Sequence, residues 1–208
     1  MTRPRISTAE PGWPHRLART VPSPGAGRAR VVAVEGRSGA GKSTVAEELG
    51  AALAARGEPT RVLTMEDLYP GWEGLAEAPE LLREWVLEPL ARGERAAWRR
   101  YDWERGAFAR EWTALPGDVA AGGVLVVEGS GSGAAAVRGL LDLLVWVAAP
   151  DGERSLRLDG RWDAGLYAPY RRVWAEQEEA FHRRDRPREH SDVVVDNSSR
   201  GDGGGPVG

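Results

Sequence analysis

Gly36-Arg37-Ser38-Gly39-Ala40-Gly41-Lys42-Ser43 decides how this chain is read. The stretch satisfies the G-x-x-x-x-G-K-[ST] pattern of a phosphate loop, in which small residues let the backbone curl into a ring of inward-facing amides. Lys42 is the single lysine among 28 Lys and Arg residues. A broad guanidinium fork fits such a ring poorly, whereas a compact ammonium reaches between two phosphates as a point charge. Residues 30–35 (RVVAVE) precede the loop as a short β-branched run. Behind it Val45, Leu49, Ala52 and Leu53 repeat at helical spacing until Gly57 and Pro59 stop the pattern. Strand, loop and helix in this order aim the unpaired N–H groups and positive end of a helix at an anion. Gly36, Ser38, Gly39, Ala40, Gly41, Lys42, Ser43 and Thr44 are therefore expected to hold phosphates, with the Ser43 hydroxyl on a magnesium ion.

The 208 residues suit one α/β domain with a substantial core. A formal charge of -3 gives no reason to expect nucleic acid or an anionic membrane as partner. There is no cysteine, which excludes disulfides and thiolate metal sites and makes a reducing cytoplasm the natural compartment. The N-terminus lacks an apolar signal core, and Asp142 interrupts the longest apolar stretch, residues 140–149, so neither a leader nor a membrane span is expected. Residues 1–28 read as a flexible segment with at most a short helix near Trp13, residues 29–197 as the folded domain, and residues 198–208 as a disordered Gly-rich tail.

Four further apolar runs complete a five-stranded parallel sheet. They are residues 61–65 (RVLTM), 124–128 (VLVVE), 142–149 (DLLVWVAA) and 192–195 (DVVV). The second strand runs into Glu66-Asp67-Leu68-Tyr69-Pro70-Gly71-Trp72, at the strand end where active sites of open parallel sheets gather. Either Glu66 or Asp67 could accept a proton from an attacking hydroxyl, and either could instead cap a turn. Residues 80–90 (ELLREWVLEPL) are an amphipathic packing helix. Trp98-Arg99-Arg100-Tyr101-Asp102-Trp103 is extended, with Tyr101 and Trp103 on one side and Asp102 on the other. That group could clamp a planar base and a sugar hydroxyl, or simply cover a hydrophobic edge. Glu128 closes an apolar strand in the manner of a Walker B acid and is the second candidate magnesium contact. Arg154, Arg157 and Arg161 lie on one helical face and could fold over the phosphates, although exposed arginine is the default.

A chain with one lysine cannot carry both the phosphate loop and the N-K-x-D guanine reader of small GTPases, nor the second lysine of ParA-like ATPases, and no L-S-G-G-Q run is present. What remains is the kinase branch of the three-layer phosphate-loop fold. EGRSGAGKST, MEDLYPGW, YDW, VLVVEG and SDVVVDN, in that order across residues 30–197, resemble the uridine kinase branch of small-molecule kinases, with its phosphoribulokinase and pantothenate kinase relatives. The resemblance implies transfer of the γ-phosphate of ATP, with Mg2+, to a hydroxyl of a small-molecule acceptor such as a nucleoside. It implies that Glu66 or Asp67 is the base and that Lys42, Arg157 and Arg161 act on the transferring group. It also implies that Arg154 helps hold the nucleotide and that Tyr69, Tyr101, Asp102 and Trp103 contact base and ribose.

Overall fold

Valine and leucine occupy consecutive positions of the central strands because both faces of a parallel sheet are covered. In the computed structural model, which describes residues 3–23, 25, 27–160 and 164–199, the strands are β1 Arg5–Ser7, β2 Arg30–Gly36, β3 Thr60–Thr64, β4 Val124–Glu128, β5 Leu143–Ala148 and β6 Val193–Asp196. They form one six-stranded parallel sheet in the order β1-β6-β5-β2-β4-β3. Every residue of β2 and β4 is buried. On one face Val32, Val34, Val126 and Val145 pack under the helix Lys42–Ala54 through Val45, Leu49 and Leu53. On the other, Val31, Leu125 and Val127 pack with the helical segment that starts at Ala78 and the helix Arg171–Asp185, through Leu82, Val86, Trp174 and Phe181. This is the expected three-layer α/β architecture with one strand more.

The extra strand, Arg5–Ser7, falls in the stretch read from the sequence as flexible, and the short helix near Trp13 follows it. Ile6 lies opposite Val195 at the sheet edge, and the helix Trp13–Ala18 buries Leu17 and Ala18 completely beside the helix Lys42–Ala54. A strand of three residues with one inward side chain carries too little alternation to be distinguished from coil, and it pairs with the sheet only through the edge of β6. The tail from residue 200 lies outside the described residues.

Strand entries are fixed by two aspartates: the Asp142 carboxylate accepts from the Val31 amide at 2.8 Å, and that of Asp192 accepts from the Leu144 amide at 2.8 Å. The packing helix is less regular than its pattern suggests. It runs as Ala78–Leu82, widens into a π turn at Arg83–Leu87 and continues as Glu88–Ala91. Pro89 has no N–H to offer the carbonyl four residues back and its ring would crowd it, so the chain takes a wider turn just before. The 98–103 segment is extended through Asp102, in two short antiparallel ladders, Ala97–Trp98 with Thr113–Ala114 and Tyr101–Asp102 with Ala107–Phe108, and Trp103 already lies in the turn that follows.

If the N-terminal helix belongs to the core, Leu17→Ala costs about 2–5 kcal/mol, the range for removing a buried leucine side chain. Urea denaturation checks this, and a loss below about 0.5 kcal/mol, the size of an ordinary surface substitution, would contradict it.

Candidate active site

The phosphate loop leaves β2 at the carboxyl edge of the sheet and enters the helix Lys42–Ala54. Gly41, the residue before the helix, has φ +92° and offers no side chain to cap it, which leaves the first helical amides open to a ligand. Gly39 and Gly41 are required by contact as well as by φ. A Cβ on Gly39 would stand 2.4 Å from the Arg154 carbonyl oxygen, and one on Gly41 2.3 Å from the Asn197 side-chain nitrogen. The loop is thus pressed between the helix Asp151–Asp159 and the end of β6.

Its carbonyls are held from outside. Arg154 donates to Ser38 O at 2.9 Å and Asn197 donates to Ala40 O at 2.8 Å. In a trans peptide the carbonyl and the following N–H point opposite ways, so each contact aims the next amide, Gly39 or Gly41, toward the interior of the loop. Arg157 lies over the same surface, 3.5 Å from Gly39 O and Ala40 O, and donates to Asn197 O at 2.8 Å. Arg154 and Arg157 therefore brace the outer side of the loop rather than point across its mouth. Arg161 lies outside the described residues.

Lys42 donates to Gly36 O at 2.8 Å and Arg37 O at 3.3 Å. Below it sits Glu35, fully buried, accepting from the amides of Gly36 at 2.9 Å, Gly131 at 2.8 Å and Gly133 at 3.0 Å. Burial pushes its carboxyl up to about 7, against the opposing pull of Lys42 and the three amides. The carboxylate pins the start of the loop to the glycine-rich turn after β4. Glu178 does similar work from the helix Arg171–Asp185, accepting from Ser38 N at 2.8 Å, Ser38 Oγ at 2.9 Å and Ser130 Oγ at 3.0 Å, while Trp174 donates to Ser38 Oγ at 3.1 Å. Glu35, Trp174, Glu178 and Asn197 were not among the residues singled out from sequence. An acid inside an apolar strand and a Trp-x-x-x-Glu spacing on a helix face are the signals that could have found the first three.

Glu128 at the end of β4 is buried, and the hydroxyls of Thr64 and Ser43 lie near enough to favour its charged form. Burial raises its carboxyl above the usual range, and the nearby Glu66 adds to the rise, while the two hydroxyls and Lys42 oppose it. Ser43 and Glu128, the two candidate magnesium contacts, thus lie near each other. Among the described residues no group of three or more His, Cys, Asp or Glu could hold a metal by itself. Two hard oxygen donors at the mouth of a phosphate loop still fit magnesium, which takes few protein ligands and completes its shell with phosphate oxygens and water.

The two adjacent acids part company. The Asp67 carboxylate accepts from the indole of the fully buried Trp98 at 2.9 Å and from Arg100 at 3.1 Å, so it fastens the 98–103 segment to the end of β3. Glu66 is exposed and stands close enough to Glu128 to disfavour its charge. Two of the expected acceptor contacts are otherwise engaged. Tyr69 is buried edge-on against Trp174, with centroids 4.8 Å apart, and donates to Ser130 O at 2.8 Å, because the turn Met65–Asp67 rotates the following chain inward. Asp102 accepts from the amides of Glu104 at 3.1 Å and Arg105 at 3.0 Å and closes the turn between its two short strands. Tyr101 and Trp103 do share a side, with centroids 5.2 Å apart. Trp103 joins Trp72 at 4.7 Å, and Trp72 stacks on Tyr170 at 4.8 Å and 7°, giving an aromatic wall beside Glu66 in which Trp103 and Tyr170 remain exposed. The Trp103 indole donates to Glu66 O at 3.3 Å.

Parallel sheet, glycine loop, a lysine at its helix start and a buried strand-end acid near the loop serine define a P-loop nucleotide-binding fold. A family model for the methylmalonyl-CoA mutase-associated GTPase MeaB matches residues 14–71, which span the phosphate loop and β3. No curated protein matches the chain at a significant level. Among solved structures it is similar to a possible uridine kinase from Bacillus stearothermophilus, with TM-score 0.63 and 19% identity over 88% of this chain and 97% of that one. It is also similar to a putative fructose transport system kinase from Silicibacter sp. TM1040, with TM-score 0.57 and 22% identity over 87% and 98%. At these identities the likeness is one of fold. No helix among the described residues is long and apolar enough to cross a membrane.

The division of labour between the paired acids has a direct test. Asp67→Ala strands the Trp98 indole N–H and lowers stability by about 1–3 kcal/mol, whereas Glu66→Ala, at an exposed side chain, costs less. Equal melting curves for the two variants would contradict the assignment.

Proposed function

We propose that the protein is an ATP-dependent kinase that phosphorylates a hydroxyl of a nucleoside or similar small metabolite. The observation that carries this reading is the position of Glu66, an exposed carboxylate beside Glu128 and next to the aromatic wall of Trp72, Trp103 and Tyr170, at the strand edge that also carries Lys42. A hydrolase needs only water at that place. A face of stacked rings suits a planar organic acceptor. The match to the GTPase model covers the loop and β3, parts that both classes share, and the guanine-reading N-K-x-D element needs a lysine that this chain does not have outside the loop.

In this reading the inward amides of Gly39 and Gly41 and the open helical amides that follow take the β-phosphate, and Lys42 leaves the carbonyls of Gly36 and Arg37 to bridge β and γ. Ser43 and Glu128 would hold a magnesium ion, whose charge offsets that of the triphosphate. Glu66 accepts the proton of the acceptor hydroxyl as its oxygen bonds to the γ phosphorus and the bond to the β–γ bridging oxygen breaks, leaving ADP. Arg154 and Arg157 act through the loop they brace, and Tyr101 and Trp103 through the acceptor wall.

Phosphoryl transfer from labelled ATP to uridine, cytidine, pantothenate and nucleoside monophosphates, assayed side by side, tests the proposal. The expected outcome is transfer to a nucleoside that Lys42→Ala abolishes without change of fold, since removing one such electrostatic partner costs about a hundredfold or more. ATP binding with no transfer to any acceptor would leave a nucleotide-binding module and sink the kinase assignment.

A further inference from the structure

Asn197 stands where four parts of the molecule meet, and each of its polar groups has a partner. Its backbone N–H donates to Ala148 O at the end of β5 at 2.8 Å, and its carbonyl accepts from Arg157 of the helix Asp151–Asp159 at 2.8 Å. Its side-chain nitrogen donates to Ala40 O of the phosphate loop at 2.8 Å, and its side-chain oxygen accepts from the Thr8 hydroxyl at 2.8 Å. The orientation of the amide follows from chemistry. A carbonyl such as that of Ala40 can only accept, so the nitrogen must face it and the oxygen must turn to a donor, which Thr8 supplies. Thr8 is itself placed by the strand before it: its amide donates to Asp196 O at 2.9 Å, continuing the pairing of β1 with β6.

We infer that Thr8 and Asn197 are positioning residues for nucleotide binding, and that the N-terminal strand is by this route a working part of the phosphate site. This rests on the nucleotide-binding reading above. Holding the Ala40 carbonyl outward points the Gly41 N–H of the same peptide inward, where a phosphate oxygen would take it. Gly41 has no Cβ to oppose the contact, and a Cβ there would displace the Asn197 nitrogen. Without the Thr8 hydroxyl the side-chain oxygen of Asn197 loses its donor, and the amide is free to rotate away from Ala40. Arg157, bonded to the Asn197 carbonyl, links the same node to the helix over the loop.

The test is calorimetric binding of a nonhydrolysable ATP analogue with magnesium to the full-length chain, below the melting temperature of every variant. Thr8→Val is expected to weaken binding about threefold to tenfold, the size of one hydrogen bond, and Thr8→Ser to restore it to within about twofold. Asn197→Asp, which sets a carboxylate oxygen against the Ala40 carbonyl, is expected to weaken it about tenfold or more. Wild-type affinity in both Thr8→Val and Asn197→Asp would overturn the inference, and so would a Thr8→Ser variant as weak as Thr8→Val, because the hydroxyl would then not be the cause. If the unaltered protein binds no nucleotide, the nucleotide reading itself fails and this one with it.

Discussion

The outward restraint of the loop carbonyls is the constraint on which the rest of this structure depends. Carboxyl groups gather around the site: Glu35, Glu128, Glu66 and Glu178 all act electrostatically on Tyr69. A triphosphate brought to this place meets these acids on several sides, and Lys42 is the one lysine available against it. Backbone amides therefore have to supply much of the attraction, and they do so only if they are already turned inward before the ligand arrives. Arg154 and Asn197 perform that turning by capturing Ser38 O and Ala40 O.

Two of the carboxylates contribute to the same end. Glu35 joins the first peptide of the loop to the turn after β4, and Glu178 joins Ser38 to Ser130 from the long helix. That helix also reaches the acceptor side, where Gln177 donates to Trp72 O at 2.8 Å and accepts from Leu75 N at 3.4 Å. One rigid element thus spans the phosphate loop and the aromatic wall, and it fixes the distance between the two halves of the proposed reaction.

Much of this was legible in the sequence because it is local. The loop motif lies within eight residues, and the strands 30–35, 61–65, 124–128, 142–149 and 192–195 announce themselves by short, mostly apolar runs. The nearness of Glu128 to Ser43 reflects a strand-end acid placed beside the loop. What escaped notice depends on partners distant in sequence. Ile6 becomes part of a strand only because Val195 waits at a sheet edge, and Asn197 gains its role from Thr8 and Ala40. Tyr69 and Asp102 matched the expected residue types for binding a base and a ribose, yet a tight turn buried the first and a turn amide pair claimed the second. Residue type constrains chemistry; the direction of a side chain is set by packing.

The most direct measurement is amide NMR of the loop during titration with magnesium and a nonhydrolysable ATP analogue. The Gly39 and Gly41 amide resonances are expected to move together on saturation, in the direction of stronger hydrogen bonding, and to stay in place with magnesium alone. Loop amides unmoved at millimolar nucleotide, or shifts confined to residues remote from the loop, would contradict this.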